Sequence, residues 1–382
     1  MHHSFKSRAV RTAFVSLAGA VLAGCTARTY APLAGPAPAT TVSKKPGTAT
    51  EIVVLSHEPA PVIGLDNVDT EPPSAQLATN AIPARPSATV PGRGWISLRA
   101  WSEQNASGPP EKIVSNGATS YRLTTRNGSG KITIGSRLAQ WNGVAVWLGF
   151  APQLVHGEPH LHALDTEKTL QPLAGSPPAL AAAQRTIVLD PGHGGADGGT
   201  RGAHNQLEKN FALDWALRTE RLLTNAGWKV FLTRRGDVDL PLAERISFAD
   251  RVHADLFISL HFNSAWPQTQ PSGIETFCLT PGGMPSTLAR GFADDERAIF
   301  PNNAFDAANL AWAFRIHRSL VAQTHARDDG VKRARFMSVL RHQNRPAILV
   351  EGGFLSNASD AARISSTAYR ESLARAVAEA LK

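Results

Sequence analysis

From residue 186 onward the chain alternates brief apolar runs with longer stretches of helical period. Thr186-Ile187-Val188-Leu189 is too short for a helix and stops at Asp190-Pro191-Gly192. Glu208 to Ala226 carries Phe211, Trp215 and Leu222 at helical spacings and closes at Gly227, where a glycine commonly ends a helix. A second strand is predicted over 228–233, a helix over 242–252 and a buried strand over 255–260. A fourth strand follows at 274–279, a helix near 303–324, a central strand at 347–350 and a last helix from about Thr367. This alternation predicts an α/β fold over 185–382, with a mainly parallel sheet covered by helices on both faces.

Upstream the pattern differs. Residues 93–175 hold short β-branched and aromatic segments, such as Tyr121 to Thr125 and Val144 to Leu148, punctuated by Asn127-Gly128 and Asn142-Gly143. They predict a small β-rich module, β or α+β. Its succession of short strands resembles small modules related to the N-terminal domain of copper amine oxidases, a likeness from which no metal role is carried over. His156, His160 and His162 are read as surface histidines, since no carboxylate or cysteine set accompanies them. Between Ala31 and Gly92 lie 11 of the chain's 26 prolines, with almost no aromatic residues. Such a stretch cannot bury enough apolar area to offset its chain entropy, so 25–92 is expected to be a disordered tether.

The first 24 residues read as an export signal. Lys6, Arg8 and Arg11 precede an apolar run from Ala13 to Leu22, which is too short to span a bilayer. The run ends in Leu22-Ala23-Gly24-Cys25, which resembles the lipobox of bacterial lipoproteins. That resemblance implies diacylation of Cys25 and a lipid anchor in the cell envelope, facing the periplasm. Thr26 carries no Asp retention signal, which favours the outer membrane where the envelope has two. Cys278 would then be the sole remaining cysteine, so no disulfide is expected. The formal charge of +8 includes the three cations of the export segment, and from Arg185 onward 24 basic residues meet 21 acidic ones. No dense basic patch results, so no nucleic-acid partner is expected.

The polar residues at the predicted strand ends carry the chemistry. His193 follows the first strand, His261 directly follows the third and Glu351 directly follows Val350. In a parallel sheet these positions project onto one edge, where ligands bind. Glu208 is returned toward that edge by the loop 194–207. Two imidazoles and a carboxylate are the usual protein set for catalytic zinc, and a further carboxylate can take a proton from water. Spacing alone does not decide which glutamate would bind metal. Asp190 and Asp197 are read as turn and supporting residues. Glu275 is left between two readings, a support for the ligands or a salt-bridge partner.

Asp190-Pro191-Gly192-His193-Gly194-Gly195, Glu208-Lys209, Ser259 to Asn263, Gly273-Ile274-Glu275 and Val350 to Asn357 occur in that order. Together they resemble the zinc-dependent N-acetylmuramoyl-L-alanine amidases of the amidase-3 family. The resemblance covers about 185–382. It implies one Zn2+ held by His193, Glu208 and His261, with Glu351 as general base; Asn263 joins Glu275 as a candidate support for these residues, apart from what the resemblance implies. It further implies peptidoglycan as substrate, cut between the lactyl group of muramic acid and L-alanine; an activator protein is left unassigned. Asp250 and Phe262 depart from the family pattern near the site and are expected to tune substrate fit. Five prolines between Ser264 and Asn302 argue against a continuous autoinhibitory helix there. The alternatives are a zinc peptidase acting within stem peptides and a non-catalytic wall-binding protein. The first is disfavoured because His193 and His261 stand 68 residues apart without a His-Glu-x-x-His helix.

Overall fold

A computed structural model describes residues 94–176, 185–202, 206–288 and 294–382. The expected export signal, Cys25 and the tether of 25–92 lie outside the described residues. The described chain opens with β1 (Trp95–Ser97) and α1 (Leu98–Asn105). A meander follows, of β2 (Glu111–Ser115), β3 (Ala118–Thr125), β4 (Gly128–Thr133), β5 (Leu138–Trp141) and β6 (Val144–Trp147). A hairpin of β7 (Gln153–Val155) and β8 (Glu158–His162) leads into the short helices α2 (Ala163–Asp165) and α3 (Gln171–Ala174). The second half runs β9 (Thr186–Pro191), α4 (Glu208–Asn225), β10 (Lys229–Leu232), α5 (Leu242–Arg251), β11 (Leu256–Asn263) and β12 (Ile274–Cys278). It ends with α6 (Asp306–Thr324), β13 (Asp328–Arg333), α7 (Ser338–Arg341), β14 (Ala347–Phe354), α8 (Ala358–Ser365) and α9 (Thr367–Ala380).

Eleven of these strands form one sheet in the order β10-β9-β11-β14-β12-β13-β6-β5-β4-β3-β2. The first four are parallel, β12 runs against β14, and β13 and β6 continue parallel to β12. The sheet is therefore mainly parallel across the second half, with one reversed step. The meander of β2 to β6 is antiparallel, and β6 joins it to this sheet through the pairing of Val146 with Val331. Side-chain bonds reinforce the junction: Ala145 N donates to Asp328 Oδ2 at 2.9 Å, and Arg333 Nη1 donates to Thr169 Oγ1 at 2.9 Å. Among the described residues no helix is long and apolar enough to cross a membrane.

The covering of both faces follows from strand alternation. Ile187, Leu189, Ile258, Leu260, Ile348 and Val350 face one core, shared with α4, α6 and α9, whereas Val188, Phe257, Phe277 and Leu349 face a second core beneath α5 and α7. On α4, the buried residues Ala212, Trp215, Ala216, Thr219 and Leu223 form one stripe of three- and four-residue steps. The same alternation corrects the reading of Phe262. It points away from His261 into the first core, fully buried and tilted against Trp215 at 5.5 Å between ring centres. Truncating it leaves a cavity under α4 and removes no metal-binding atom. Phe262→Ala is expected to cost about 3–5 kcal/mol of stability, read by urea unfolding, while the folded fraction keeps its metal content. Asp250 is likewise remote: it pairs with Arg345, just ahead of β14 and so at the opposite end of that strand from Glu351.

Candidate metal centre

Parallel pairing brings the ends of β9, β11 and β14 to one rim. The His193 loop leaves β9 at Gly192, whose added Cβ would stand 2.2 Å from Cε1 of the His261 ring, so only glycine lets the two segments approach this closely. His193 itself adopts φ 61°, left-handed backbone that is uncommon for a non-glycine residue. Three contacts hold the following loop. Gly195 N donates to Asp237 Oδ1 and Ala196 N to Asp239 Oδ1, while Lys209 Nζ donates to Gly195 O. Gly199, at φ +65°, passes so close that a Cβ would lie 2.6 Å from His193 Cδ2 and 2.7 Å from Glu208 Oε2.

At the first turn of α4, Glu208 is buried with four nitrogens around its carboxylate, two from backbone N–H groups and two from imidazole rings. Oε1 lies 2.9 Å from His261 Nδ1 and accepts from Phe262 N at 3.0 Å. Oε2 lies 3.2 Å from His193 Nε2 and accepts from Thr200 N at 2.9 Å. The three side chains His193, Glu208 and His261 each offer a ligand atom, all within 4.8 Å of one another, the one such group among the described residues. His193 Nδ1 is 2.7 Å from Asp197 Oδ2, which leaves Nε2 facing inward. A carboxylate on the far nitrogen is the usual way to orient a metal-binding imidazole. In a tetrahedral site with bonds near 2.0–2.1 Å, neighbouring donors stand about 3.3 Å apart, and the two imidazole–carboxylate spacings, 2.9 Å and 3.2 Å, lie near that value.

The electrostatics agree with a cation in that position. Burial opposes a charge on His193, but Glu208 and the hydrogen bonds to Asp197 and Glu208 outweigh it and push its pKa up to about 10. Burial likewise opposes charge on Glu208, yet the two histidines hold its carboxyl well below the usual range.

Glu351 sits one strand away, its backbone in register with His261 on β11 and with Glu275 on β12. Register neighbours point to the same face of a sheet, so His261, Glu351 and Glu275 form one row. Glu275 is buried, ion-pairs with Lys332 and accepts from Asn263 Nδ2. Burial and then Asp329, against the pull of Lys332, raise its pKa to about 7. The salt bridge of Glu275 is thus present, and the same carboxylate also takes the Asn263 amide. Asp190 is buried under bonds from Thr233, Arg245 and Ser259, a structural anchor of the rim. His162 caps α2 and stacks on Phe150 at 3.8 Å. Sequence reasoning missed Arg234 and Arg245, buried beneath the His193 loop; the one available signal was an arginine placed directly after a predicted strand.

The family model described as N-acetylmuramoyl-L-alanine amidase matches residues 187–382. The N-acetylmuramoyl-L-alanine amidase AmiC of Escherichia coli is 31% identical over 242 residues, which are 57% of this chain and 58% of that protein. LytC of Bacillus subtilis, a second N-acetylmuramoyl-L-alanine amidase, is 35% identical over 193 residues, 50% of this chain and 34% of that one. The chain thus spans little more than half the length of the first relative and a third of the second. Among solved structures, the catalytic domain of CwlV from Bacillus (Paenibacillus) polymyxa aligns at 29% identity and a TM-score of 0.43, over 52% of this chain and 96% of that one.

Proposed function

The chain belongs to the N-acetylmuramoyl-L-alanine amidase family, whose model covers its second half, and on that premise we propose that it hydrolyses peptidoglycan between N-acetylmuramic acid and the L-alanine of the stem peptide. The observation that carries the reading is the meeting of His193, Glu208 and His261 beside Glu351 on the next strand. The first three residues would hold zinc. When bound, zinc supplies Lewis-acid polarisation of the scissile carbonyl and acidifies water. Glu351 accepts a proton from the attacking water as its oxygen adds to the lactyl carbonyl carbon. The same carboxyl returns that proton to the alanine nitrogen as the C–N bond breaks, leaving a free lactyl carboxylate and a free amine. Asn263, Glu275 and Lys332 bond to one another on the neighbouring strands, with Glu275 in backbone register with Glu351.

Digestion of purified sacculi by the full chain, followed by mass spectrometry of the released material, tests the reading. Intact stem peptides with a free N-terminal L-alanine are expected. Shorter peptides would instead indicate a peptidase, and no release a wall-binding protein. In keeping with this substrate, we place the chain in the cell envelope, facing the periplasm, with Cys25 as its lipid anchor in the outer membrane. Support comes from the residues Leu22 to Cys25 and the apolar run before them. The intact mass of protein extracted from membranes, set against that of Cys25→Ala, reads the acyl chains directly.

A further inference from the structure

The segments that carry His193 and Glu208 share one fastening. Arg234, two residues past the end of β10, is 3% exposed. Its Nη2 donates to Gly192 O at 2.7 Å and to Lys209 O at 2.8 Å. Its Nε donates to Pro191 O at 3.0 Å and its Nη1 to Gly236 O at 3.0 Å. Gly192 immediately precedes His193, and Lys209 immediately follows Glu208. A single nitrogen therefore bridges the chain neighbours of two residues of the site that lie on separate elements, the loop after β9 and the first turn of α4. Arg245 completes the grip, with Nη2 donating to His193 O at 2.8 Å and Nη1 to Pro191 O at 2.9 Å. The carbonyls of three successive residues, 191 to 193, are each held by a buried guanidinium.

We propose that Arg234 is a positioning residue that sets the metal affinity of the His193–Glu208–His261 site by fixing the distance between the backbones that carry His193 and Glu208. A guanidinium is planar, with its donors in a rigid fork, so Nη2 between Gly192 O and Lys209 O is itself held in place by the bonds of Nε to Pro191 O and Nη1 to Gly236 O. The position is costly. Burial, and then the neighbouring charge of Arg245, lower the Arg234 pKa to about 10, yet the group stays cationic near neutrality. Its four bonds all end on backbone carbonyls, which orients the loop rather than neutralising the charge. His193 needs such a hold because its left-handed backbone is not self-supporting.

This inference rests on the metal role proposed above, and the test separates the two. Zinc affinity of the purified full chain is measured by chelator competition, and thermal unfolding is followed metal-free and with saturating zinc. A wild-type chain that takes up no zinc sinks the metal role itself. Given wild-type binding, Arg234→Met is expected to bind zinc about 10–100-fold more weakly, the usual loss when an outer partner of a metal ligand is removed. Its zinc-induced rise in Tm shrinks accordingly, because that rise follows ligand affinity. Arg345→Met serves as the comparison, a buried arginine at the far rim, paired with Asp250. It should lose metal-free Tm and keep the full zinc-induced rise. Should Arg234→Met fail to fold, Arg234→Lys retains the charge but not the fork and is expected to lose affinity in the same direction. Arg234 variants that lose metal-free Tm yet bind zinc as tightly as wild type would overturn the proposal.

Discussion

Glu351→Gln is expected to keep zinc in place and lower the release of stem peptides from sacculi by roughly 10²–10⁴-fold, the range supplied by a positioned general acid–base. The substitution preserves the shape of the side chain and its place on β14, in register with His261. It removes only the capacity to accept a proton. Because Glu351 is not among the three converging ligand-type side chains, the metal content of the variant should match wild type by elemental analysis. The neighbouring Glu275 offers no substitute. It is engaged by Lys332 and Asn263 and buried on the next strand. A variant that digests sacculi at the wild-type rate would remove Glu351 from the mechanism. One that loses its zinc together with its turnover would move Glu351 among the ligands.

Much of this rim was readable before any coordinates. Parallel strands buried on both faces write themselves as continuous apolar runs, so Val188, Ile258 and Ile348 mark their strands without alternation, and residues beyond each run fall on a shared edge. Other features leave no such trace. Strand β2 has the sequence Glu111 to Ser115, largely polar and exposed, because an edge strand with little to bury needs no apolar face. The attachment of β6 to β13 rests on one backbone pairing and on bonds such as Ala145 N to Asp328, which depend on residues 183 apart. Phe262 follows a ligand in sequence and looks like part of the site. Only the two-residue period of β11 shows that it faces α4 instead. Arg234 and Arg245 are the least legible, since an arginine in a sequence reads as surface charge. Arg234 is buried because backbone carbonyls receive its donors, and Arg245 because it pairs with the buried Asp190 carboxylate and bonds carbonyls of the same loop.

His261→Ala is expected to abolish zinc binding and peptide release together. With His261 gone, His193 and Glu208 remain, one fewer than the three protein ligands that catalytic zinc sites use. The loss reaches beyond coordination. The His261 ring fills the space against Gly192, and its Nδ1 lies 2.9 Å from a Glu208 carboxylate that is itself almost wholly buried. Removing it leaves that carboxylate with one imidazole in place of two, and an underpaired buried charge is destabilising in its own right. The variant should therefore unfold at a lower temperature than metal-free wild type and show no further rise when zinc is added. Chelated wild type provides the contrast, since its ligands are intact and zinc should restore both its Tm and its turnover. Full zinc occupancy in His261→Ala, measured by elemental analysis on folded protein, would place the ion elsewhere and dissolve the three-residue site.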